Sequence, residues 1–472
     1  MAYVSRPDPH ARQIAEARAH FFAGRREEAR QLFEAVLARD RNHPEALHFL
    51  GVIEYLHHRY DTAIALIRKA LPQRRQDSEL HSNLGLALQA AGQLEAAVTV
   101  FRRAVALGPQ YAAHHSYLAC ALRDVGALDE AVEACNRALA LNPRYALAFF
   151  TRAQCQLLAG AWHGMWEDHE WRIAADTGAA YVTDPRQPSR VLPRPSQWRS
   201  QDLSAARLLV LGEQGIGDEL FFLRYAPLVR RRCAWLGYRA SPKAAPLLAG
   251  ADGLDAIFTT EALPSDADHI LMLGDLPLLA DTDMAAPPPA LRLAPSTAQL
   301  AAVAARLAAA GPGPYLAVTW RAGPAPVAGQ KPGRRKAIPL EVLAQALRPW
   351  PGTLLSVQRN PEPGELATLA AHLDRPVADF DALNEDLPGM LALMALVDEY
   401  VGVSNTNMYL RAACGRAARA LVTAPTDWRW TERAPLSPWF ADFQLYREHR
   451  ETGWAEAGGS LERDLRAGAP QR

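Results

Sequence analysis

The chain changes character at Leu208-Leu209-Val210-Leu211-Gly212-Glu213-Gln214-Gly215-Ile216-Gly217-Asp218-Glu219, where an apolar run meets a Gly-acidic turn and then an amphipathic helix. The sequence before this turn repeats in pairs of helical stretches, whereas the sequence after it alternates short apolar runs with helical stretches. Alternation of the second kind is typical of α/β domains with parallel sheets. The turn therefore marks where a helical array gives way to an α/β region suited to chemistry.

Composition limits the classes of partner. The 472 residues are 49% hydrophobic and 22% charged, which is typical of two or three globular units. Lysine and arginine together number 51, as do aspartate and glutamate, so the chain has no net charge to attract nucleic acid or an anionic bilayer. We expect neither nucleic acid nor a membrane as a partner.

Cysteine spacing and hydropathy predict a cytoplasmic protein without a metal. The five cysteines show no CxxC pair and no ligand-like spacing to histidine; they are Cys120, Cys135, Cys155, Cys233 and Cys414. The N-terminus has no apolar leader segment, and no stretch reaches the ~18 apolar residues of a spanning helix. We therefore expect a cytoplasmic location, no membrane span and no metal site.

Small residues recur in fixed columns about every 34 residues between residues 13 and 172. The columns are Gly24, His58, Gly92, Gly126 and Gly160; Ala29, Ala63, Ala97 and Ala131; and Ala70, Ala104 and Ala138. Glycine closes the turn between paired helices, and alanine lets neighbouring helices approach closely. The pattern resembles tetratricopeptide (TPR) repeats, four copies and a degenerate fifth, and predicts an α-solenoid over residues 1–175.

Such an array offers a concave groove to an extended protein segment. In protein O-GlcNAc transferases a similar array carries an asparagine ladder, but here that column reads Phe49, Asn83, Tyr117 and Thr151. The fifth repeat carries Trp162, Trp166 and Trp171, which we expect to pack against the next domain.

Two blocks of predicted strands follow a proline-containing stretch. Residues 176–203 lack periodicity and predict a linker. The predicted strands are 207–211, 234–238, 256–259 and 269–272, then 315–320, 353–357, 375–378, 400–403 and 419–422. They predict two doubly wound, Rossmann-like domains over 204–296 and 297–472, with 285–295 as the hinge.

Three loops stand where ligands of parallel sheets bind, beyond the carboxyl ends of strands. The first contains Gly215 and Gly217, which permit close backbone approach, and Asp218, which otherwise acts as a helix cap. The second places the guanidinium of Arg321 where it could bind phosphate, although a lone arginine is often only a surface charge. The third opens a helix with anion-binding or capping groups, namely Ser404, Asn405, Thr406 and Asn407.

Taken together, these motifs resemble the bacterial TPR-linked glycosyltransferases, which are related to the heptosyltransferases and have the GT-B fold. The matching segments are 212–218, 319–323, Lys336 with Pro339, Val357-Gln358-Arg359-Asn360, 404–407, Asp427-Trp428-Arg429-Trp430 and Ser437-Pro438-Trp439-Phe440. The resemblance covers nearly the whole chain and implies a TPR superhelix followed by a GT-B pair of domains.

The resemblance also implies a reaction and its residues. A sugar would pass from a nucleotide-sugar co-substrate to a Ser or Thr of an acceptor protein held by the repeats, with flagellin as a specific candidate. Asp218 would be the general base, and the donor phosphates would be bound, without a metal or other cofactor, by Arg321, Lys336, Gln358, Ser404, Asn405, Thr406 and Asn407. The heptosyltransferase pattern has an acid and a histidine where this chain has Asn405 and Tyr409. The resemblance to heptosyltransferases therefore does not identify the donor sugar.

Two other functions remain open at this point. The substitutions at Asn405 and Tyr409 fit a non-catalytic TPR adaptor with a degenerate nucleotide-sugar fold. The third hypothesis is a glycosyltransferase that acts on cell-envelope carbohydrate. We favour a protein acceptor because a saccharide acceptor does not need a peptide-binding solenoid.

Overall fold

The computed structural model describes residues 8–468 apart from 162–163, 180, 214, 260–261, 281–286, 324–335, 433–435 and 441. The described residues form two compact units, of which the first ends at Arg152 and the second begins at Ala153. Among the described residues, no helix combines the length and the apolar character that a bilayer-spanning segment needs.

The first unit consists of antiparallel helix pairs. Its helices are α1 (Ala11–Phe22), α2 (Arg26–Arg39), α3 (Pro44–Leu56), α4 (Tyr60–Ala70), α5 (Ser78–Ala90), α6 (Leu94–Leu107), α7 (Ala112–Asp124), α8 (Leu128–Leu141) and the start of α9 (Ala146–Leu158). Helices α1, α3, α5 and α7 each pack on the helix after them, and the four pairs pack on one another in chain order. This arrangement buries apolar faces that a single pair could not bury.

The predicted columns explain this packing. Gly24, Gly92 and Gly126 all have φ near +78°, and His58 has φ of 62°, so the column supplies left-handed turns between paired helices. The alanine columns, represented by Ala29 and Ala70, are fully buried where helices approach. His58 adopts the conformation of the glycine that it replaces, which histidine tolerates better than most residues.

The stretch predicted as a linker is instead part of the second unit. After α10 (Trp166–His169) and α11 (Arg172–Thr177), the chain forms a hairpin of β1 (Thr183–Asp184) and β2 (Gln187–Val191). Tyr181 and Leu192 are buried in one apolar cluster with Leu209, Leu211 and Ile270 of the following sheet. The stretch is therefore packed on the following sheet and is not a free connector.

A four-stranded parallel sheet follows. Its strands are β3 (Arg207–Leu211), β4 (Trp235–Arg239), β5 (Ala256–Phe258) and β6 (His269–Met272), and they lie in the order β5-β4-β3-β6. The connecting helices are α12 (Ile216–Phe222), α13 (Ala226–Arg230), α14 (Ala245–Leu248) and α15 (Leu276–Leu279). All four strands lie within one residue of their predicted positions.

The second sheet has six parallel strands beside a short antiparallel hairpin. The strands are β7 (Tyr315–Thr319), β8 (Arg321–Ala322), β9 (Lys336–Ala337), β10 (Thr353–Ser356), β11 (Ala378–Asp379), β12 (Glu399–Val403), β13 (Ala418–Val422) and β14 (Phe443–Arg447). The sheet order is β11-β10-β7-β12-β13-β14, and β8 pairs with β9. The helices are α16 (Thr297–Ala310), α17 (Leu340–Leu347), α18 (Glu365–Leu373), α19 (Leu387–Leu396), α20 (Thr406–Ala413) and α21 (Ala455–Gly468).

Helices cover this sheet on two sides. Leu347 of α17, Leu369 of α18 and Leu461 of α21 share a buried core with Leu316 and Val401 of the strands. On the other side α19 packs on both α16 and α20. Burial on both faces explains why these strands read as continuous apolar runs.

The two strand orders place the candidate loops. In each sheet the first strand along the chain has the second strand on one side and the fourth on the other, so the winding reverses between β3 and β6 and between β7 and β12. Ligands of parallel sheets bind in the crevice at such a reversal, beyond the carboxyl ends. Helix α12, which follows β3, packs on α20, which follows β12, and this contact brings the first and third loops side by side.

Candidate functional site

An ionic chain crosses from the first sheet domain to the second at the α12–α20 contact. Asp218 Oδ1 accepts a hydrogen bond from an Arg429 terminal nitrogen. Arg429 Nη1 lies 3.2 and 3.4 Å from the two Asp427 oxygens, and Asp427 Oδ2 lies 3.4 Å from Lys336 Nζ. The predicted base and the predicted phosphate lysine are therefore linked through two residues that had no predicted role.

Burial and aromatic rings hold Arg429 in this chain. The residue is 8% exposed, and its guanidinium carbon lies 4.4 Å from the Trp428 ring centroid and 5.3 Å from that of Phe221. Burial alone would lower the pKa of Arg429, but the carboxylates of Asp218 and Asp427 raise it above its usual value. Arg429 is therefore a permanent cation beside Asp218.

Asp218 is oriented by a second contact from its own turn. Gly215 N donates to Asp218 Oδ2 over 3.3 Å at the start of α12. This is the capping role that the sequence left open, and it coexists with the ion pair to Arg429. Both carboxylate oxygens are engaged, so a substrate hydroxyl would have to take the place of one partner.

Asn405 joins the two strands on either side of the second reversal. Its Nδ2 donates to Thr319 Oγ1 over 2.8 Å, and its Oδ1 accepts from Tyr400 Oη at 3.0 Å and from Met408 N at 3.3 Å. Burial raises the pKa of Tyr400 to about 12, so its hydroxyl remains a donor. Asn405 therefore caps α20 and ties β7 to β12.

The neighbours of Asn405 differ in their surroundings. Thr406 is partly exposed at the first turn of α20. Ser404 is buried and hydrogen-bonds Tyr409, whose pKa is raised by burial. Asn407 Nδ2 donates over 3.4 Å to both Val357 O and Asn384 Oδ1, so its side chain holds parts of the domain interior together.

The side chains of Arg321 and Gln358, both predicted to bind phosphate, hydrogen-bond to other residues of the same domain. Arg321 donates to both oxygens of Glu365, at 3.2 and 2.7 Å, and this pair raises the pKa of Arg321. Gln358 Oε1 accepts from the backbone of Trp320 and Arg321, and its Nε2 donates to the carbonyls of Arg321 and Arg359. Both side chains hold the loop that follows β7, and the donor contacts that the sequence predicts for them stay predictions.

Lys336 and Asp427 converge because of the strand order. Lys336 in β9 pairs with Ala322 in β8, directly after β7. Asp427 follows β13, which lies beside β12 in the same parallel sheet. Both residues therefore lie at the carboxyl edge next to the reversal, where a ligand is expected.

A cluster of charged side chains joins the loops that follow β3 and β6 in the first sheet. Arg172, 4% exposed, donates to Glu213 at 2.6 and 3.0 Å and to Asp275 at 2.6 Å. Tyr181 donates to the other Asp275 oxygen, and Gly274 N donates to Glu213. The cluster fixes the beginning of the turn that carries Asp218; Gln214 in the same turn lies outside the described residues.

Two tryptophans near the end of the repeats, Trp166 and Trp171, make aromatic and cation–π contacts. Trp166 lies edge-on to Phe222, Tyr225 and Trp439 in the second unit. Trp171 stacks with the Arg194 guanidinium at 3.6 Å, and Trp162 lies outside the described residues. Trp166 therefore makes the contact with the α/β region that the sequence predicted.

Gly217 is required for the contact between α12 and α20. A Cβ atom at Gly217 would lie 2.9 Å from Tyr409 Cε2, whereas a Cβ atom at Gly215 would lie 3.8 Å from its nearest neighbour. Tyr409 is buried beside Phe221 and Phe440, so its ring cannot retreat easily. Gly217 therefore sets how closely the two sheet domains approach.

We expect Gly217→Ala to destabilise the second unit by ~1–3 kcal/mol, because it overpacks this contact. Denaturant unfolding followed by tryptophan fluorescence measures the loss. Gly215→Ala is the matched control and should change stability much less. A Gly217→Ala penalty that persists unchanged in a Tyr409→Leu background would contradict the stated cause.

Comparisons with known proteins support the repeats. The tetratricopeptide repeat family model matches residues 14–78, 82–146 and 118–162. Protein FlbA of Caulobacter vibrioides is 25% identical over 343 residues, which are 68% of this chain and 55% of FlbA. The chain thus spans about half the length of this curated relative.

Two solved structures are similar to about a third of the chain. YrrB, described as a TPR protein with an unusual peptide-binding site, is 21% identical and covers 34% of this chain and 84% of its own, with a TM-score of 0.31. MamA is 21% identical and covers 36% of this chain and 97% of its own, with a TM-score of 0.32. The chain contains TPR repeats, followed by an α/β region with parallel sheets.

Proposed function

We propose that this protein is a GT-B glycosyltransferase that moves a sugar from a nucleotide-sugar donor to a Ser or Thr hydroxyl of an acceptor protein. The observation that carries the proposal is the ionic chain from Asp218 through Arg429 and Asp427 to Lys336. It puts a carboxylate from one sheet domain next to cations from the other, beside a reversal in strand order. An enzyme that deprotonates a hydroxyl while releasing a phosphate needs these two kinds of group together.

The reaction assigns a task to each group. The acceptor oxygen bonds to the anomeric carbon of the sugar as the bond from that carbon to the donor phosphate oxygen breaks. Asp218 takes the hydroxyl proton, and the electron pair of the broken bond leaves with the nucleoside diphosphate. Lys336 and Arg429 stabilise the charge that develops on the leaving phosphate, so the step needs no metal ion.

The repeats are the reason to propose a protein acceptor. TPR arrays present a groove that binds extended segments of other proteins, and the family model supports the repeats in this chain. We propose that the array captures the acceptor; flagellin is the specific candidate that the resemblance suggests.

The second candidate function is a non-catalytic adaptor. It is favoured by the internal contacts of Arg321 and Gln358, since both side chains would otherwise face the donor. An adaptor would keep the fold and the protein-binding repeats but would not turn over any donor.

Titration with a panel of nucleotide sugars separates these functions. We expect one donor to raise the melting temperature, because a ligand that binds only the folded state stabilises it. We also expect mass spectrometry to detect sugar on a candidate acceptor protein only when that donor is present. Binding without turnover would favour the adaptor, and turnover onto saccharide alone would favour a cell-envelope enzyme.

A further inference from the structure

Two cations of the candidate site share one carboxylate. Lys336 and Arg429 come from different segments, and Asp427 lies between them at 3.4 Å from Lys336 Nζ and at 3.2 and 3.4 Å from Arg429 Nη1. Charge-assisted hydrogen bonds usually measure ~2.7–2.9 Å. Asp427 is therefore close enough to neutralise both cations but too far from them to form strong bonds.

Other ion pairs of the same unit are much tighter. Arg321 reaches Glu365 at 2.7 Å, and Arg172 reaches Glu213 and Asp275 at 2.6 Å. Arg429 also keeps its Nε without a hydrogen-bond partner among the described residues, although the side chain is buried. Arg429 contacts Asp218 closely through its other terminal nitrogen, so the loose contacts are those to Asp427. Together with the unused N–H, they indicate room for a better acceptor on the Asp427 side of Arg429.

We propose that Lys336 and Arg429 form an anion-binding pair, that Asp427 occupies this pair as an internal counter-ion, and that a pyrophosphate-type anion displaces it. The inference deepens the proposed function and rests on it for the identity of the anion, which would be the diphosphate of the donor. It assigns Asp427 as the counter-ion of the two cations that the proposed function places at the leaving phosphate, and it excludes Arg321 as the main cation of that site.

The charge balance explains the purpose of the counter-ion. Among the described residues, Lys336 and Arg429 lie against Asp218 and Asp427, so these four side chains together carry no net formal charge. Without Asp427 the two cations would repel each other in a partly buried place, where such repulsion is stronger than in water. An entering diphosphate takes over the neutralisation and frees the Asp427 side chain from both cations.

Asp427→Asn tests the proposal in the full-length chain. Asparagine removes the charge but can still accept the hydrogen bond that Arg429 N donates to Asp427 Oδ1 over 3.1 Å. We expect isothermal titration with inorganic pyrophosphate to show about tenfold tighter binding than in the wild type. A residue with only a structural role would leave affinity unchanged or weaken it.

Glu365→Gln is the matched control, because it removes the same charge from the Arg321 pair of the same domain. We expect it to leave pyrophosphate affinity at the wild-type value. Adding Lys336→Met to Asp427→Asn should cancel the gain. Unchanged or weaker binding by Asp427→Asn, an equal gain in Glu365→Gln, or a gain that survives Lys336→Met would each overturn the proposal.

The titration needs neither sugar donor nor acceptor, so its result is independent of transfer. If Asp427→Asn binds pyrophosphate more tightly but the wild-type protein transfers no sugar, the anion site is supported and the proposed function is wrong. If the protein transfers sugar but Asp427→Asn does not change its pyrophosphate affinity, the proposed function is supported and the proposed anion site is wrong.

Discussion

Asp218→Asn is expected to lower sugar transfer by about 100- to 10,000-fold, which is the usual contribution of a general base. Asparagine keeps one acceptor oxygen, which can still take the hydrogen bond from Gly215 N, and Asp427 remains the counter-ion of Arg429, so the turn should keep its shape. It cannot take a proton from the acceptor hydroxyl. Single-turnover transfer with saturating donor measures the chemical step directly.

Two measurements separate this loss from damage to the fold. The melting temperature should stay close to the wild-type value, and the affinity for the donor should not fall, because Asp218 contacts Arg429 as a counter-charge and is not proposed to contact the leaving phosphate. Asp252→Asn makes the same change at an exposed loop position before β5 and should transfer sugar normally. Activity retained by Asp218→Asn would remove this residue from the mechanism.

The sheets could be predicted because parallel strands buried on both faces leave apolar runs. Two strands show the limits. The prediction for 375–378 is mostly wrong, since β11 begins only at Ala378; Pro376 lacks the N–H that a ladder needs. The edge strand β14 (Phe443–Arg447) has no apolar run, and it was not predicted at all.

The hairpin region shows a different limit. Its prolines and lack of periodicity are typical of a linker. It is ordered by tertiary contacts of a few apolar residues, such as Tyr181 and Leu192 against β3 and β6. No local pattern encodes those contacts, because their partners lie far along the chain.

The sequence predicted which loops meet in the candidate site better than it predicted the contacts of their side chains. Strand ends identified Asp218 and the start of α20, and the family resemblance identified Lys336; the strand order places the loops that carry them near each other. The commitment of Arg321 to Glu365 joins residues 44 apart in sequence, which no motif reveals. The role of Arg429 was not predicted from the sequence. An arginine between two tryptophans and two residues after an aspartate, in Asp427-Trp428-Arg429-Trp430, is the pattern that could have indicated a buried ion pair.

The second large effect is expected for Arg172→Met, which should destabilise the second unit by ~3–5 kcal/mol. The methionine leaves the carboxylates of Glu213 and Asp275 buried without their cation. Burial already raises the pKa of Asp275, and Arg172 is the main group that opposes this rise. Losing Arg172 should raise that pKa further, so the cost comes from keeping a buried charge.

Tryptophan fluorescence follows this loss selectively. All 11 tryptophans lie at or after residue 162, so their emission reports on the second unit, whereas circular dichroism also follows the repeats. We expect Arg172→Met to lower the fluorescence midpoint in urea strongly. Lys243→Met, which breaks the exposed pair with Glu385, is the control and should have little effect.

The pH dependence identifies the cause. A carboxyl group whose pKa is higher in the folded than in the unfolded state favours folding at low pH, and this advantage is lost as pH rises above the unfolded value of about 4. The gap between Arg172→Met and wild type should therefore be smaller near about pH 5 than near about pH 8. Adding Asp275→Asn should recover part of the loss at the higher pH. A gap that is the same at both pH values and unaffected by Asp275→Asn would show that Arg172 stabilises the turn by packing and not by charge.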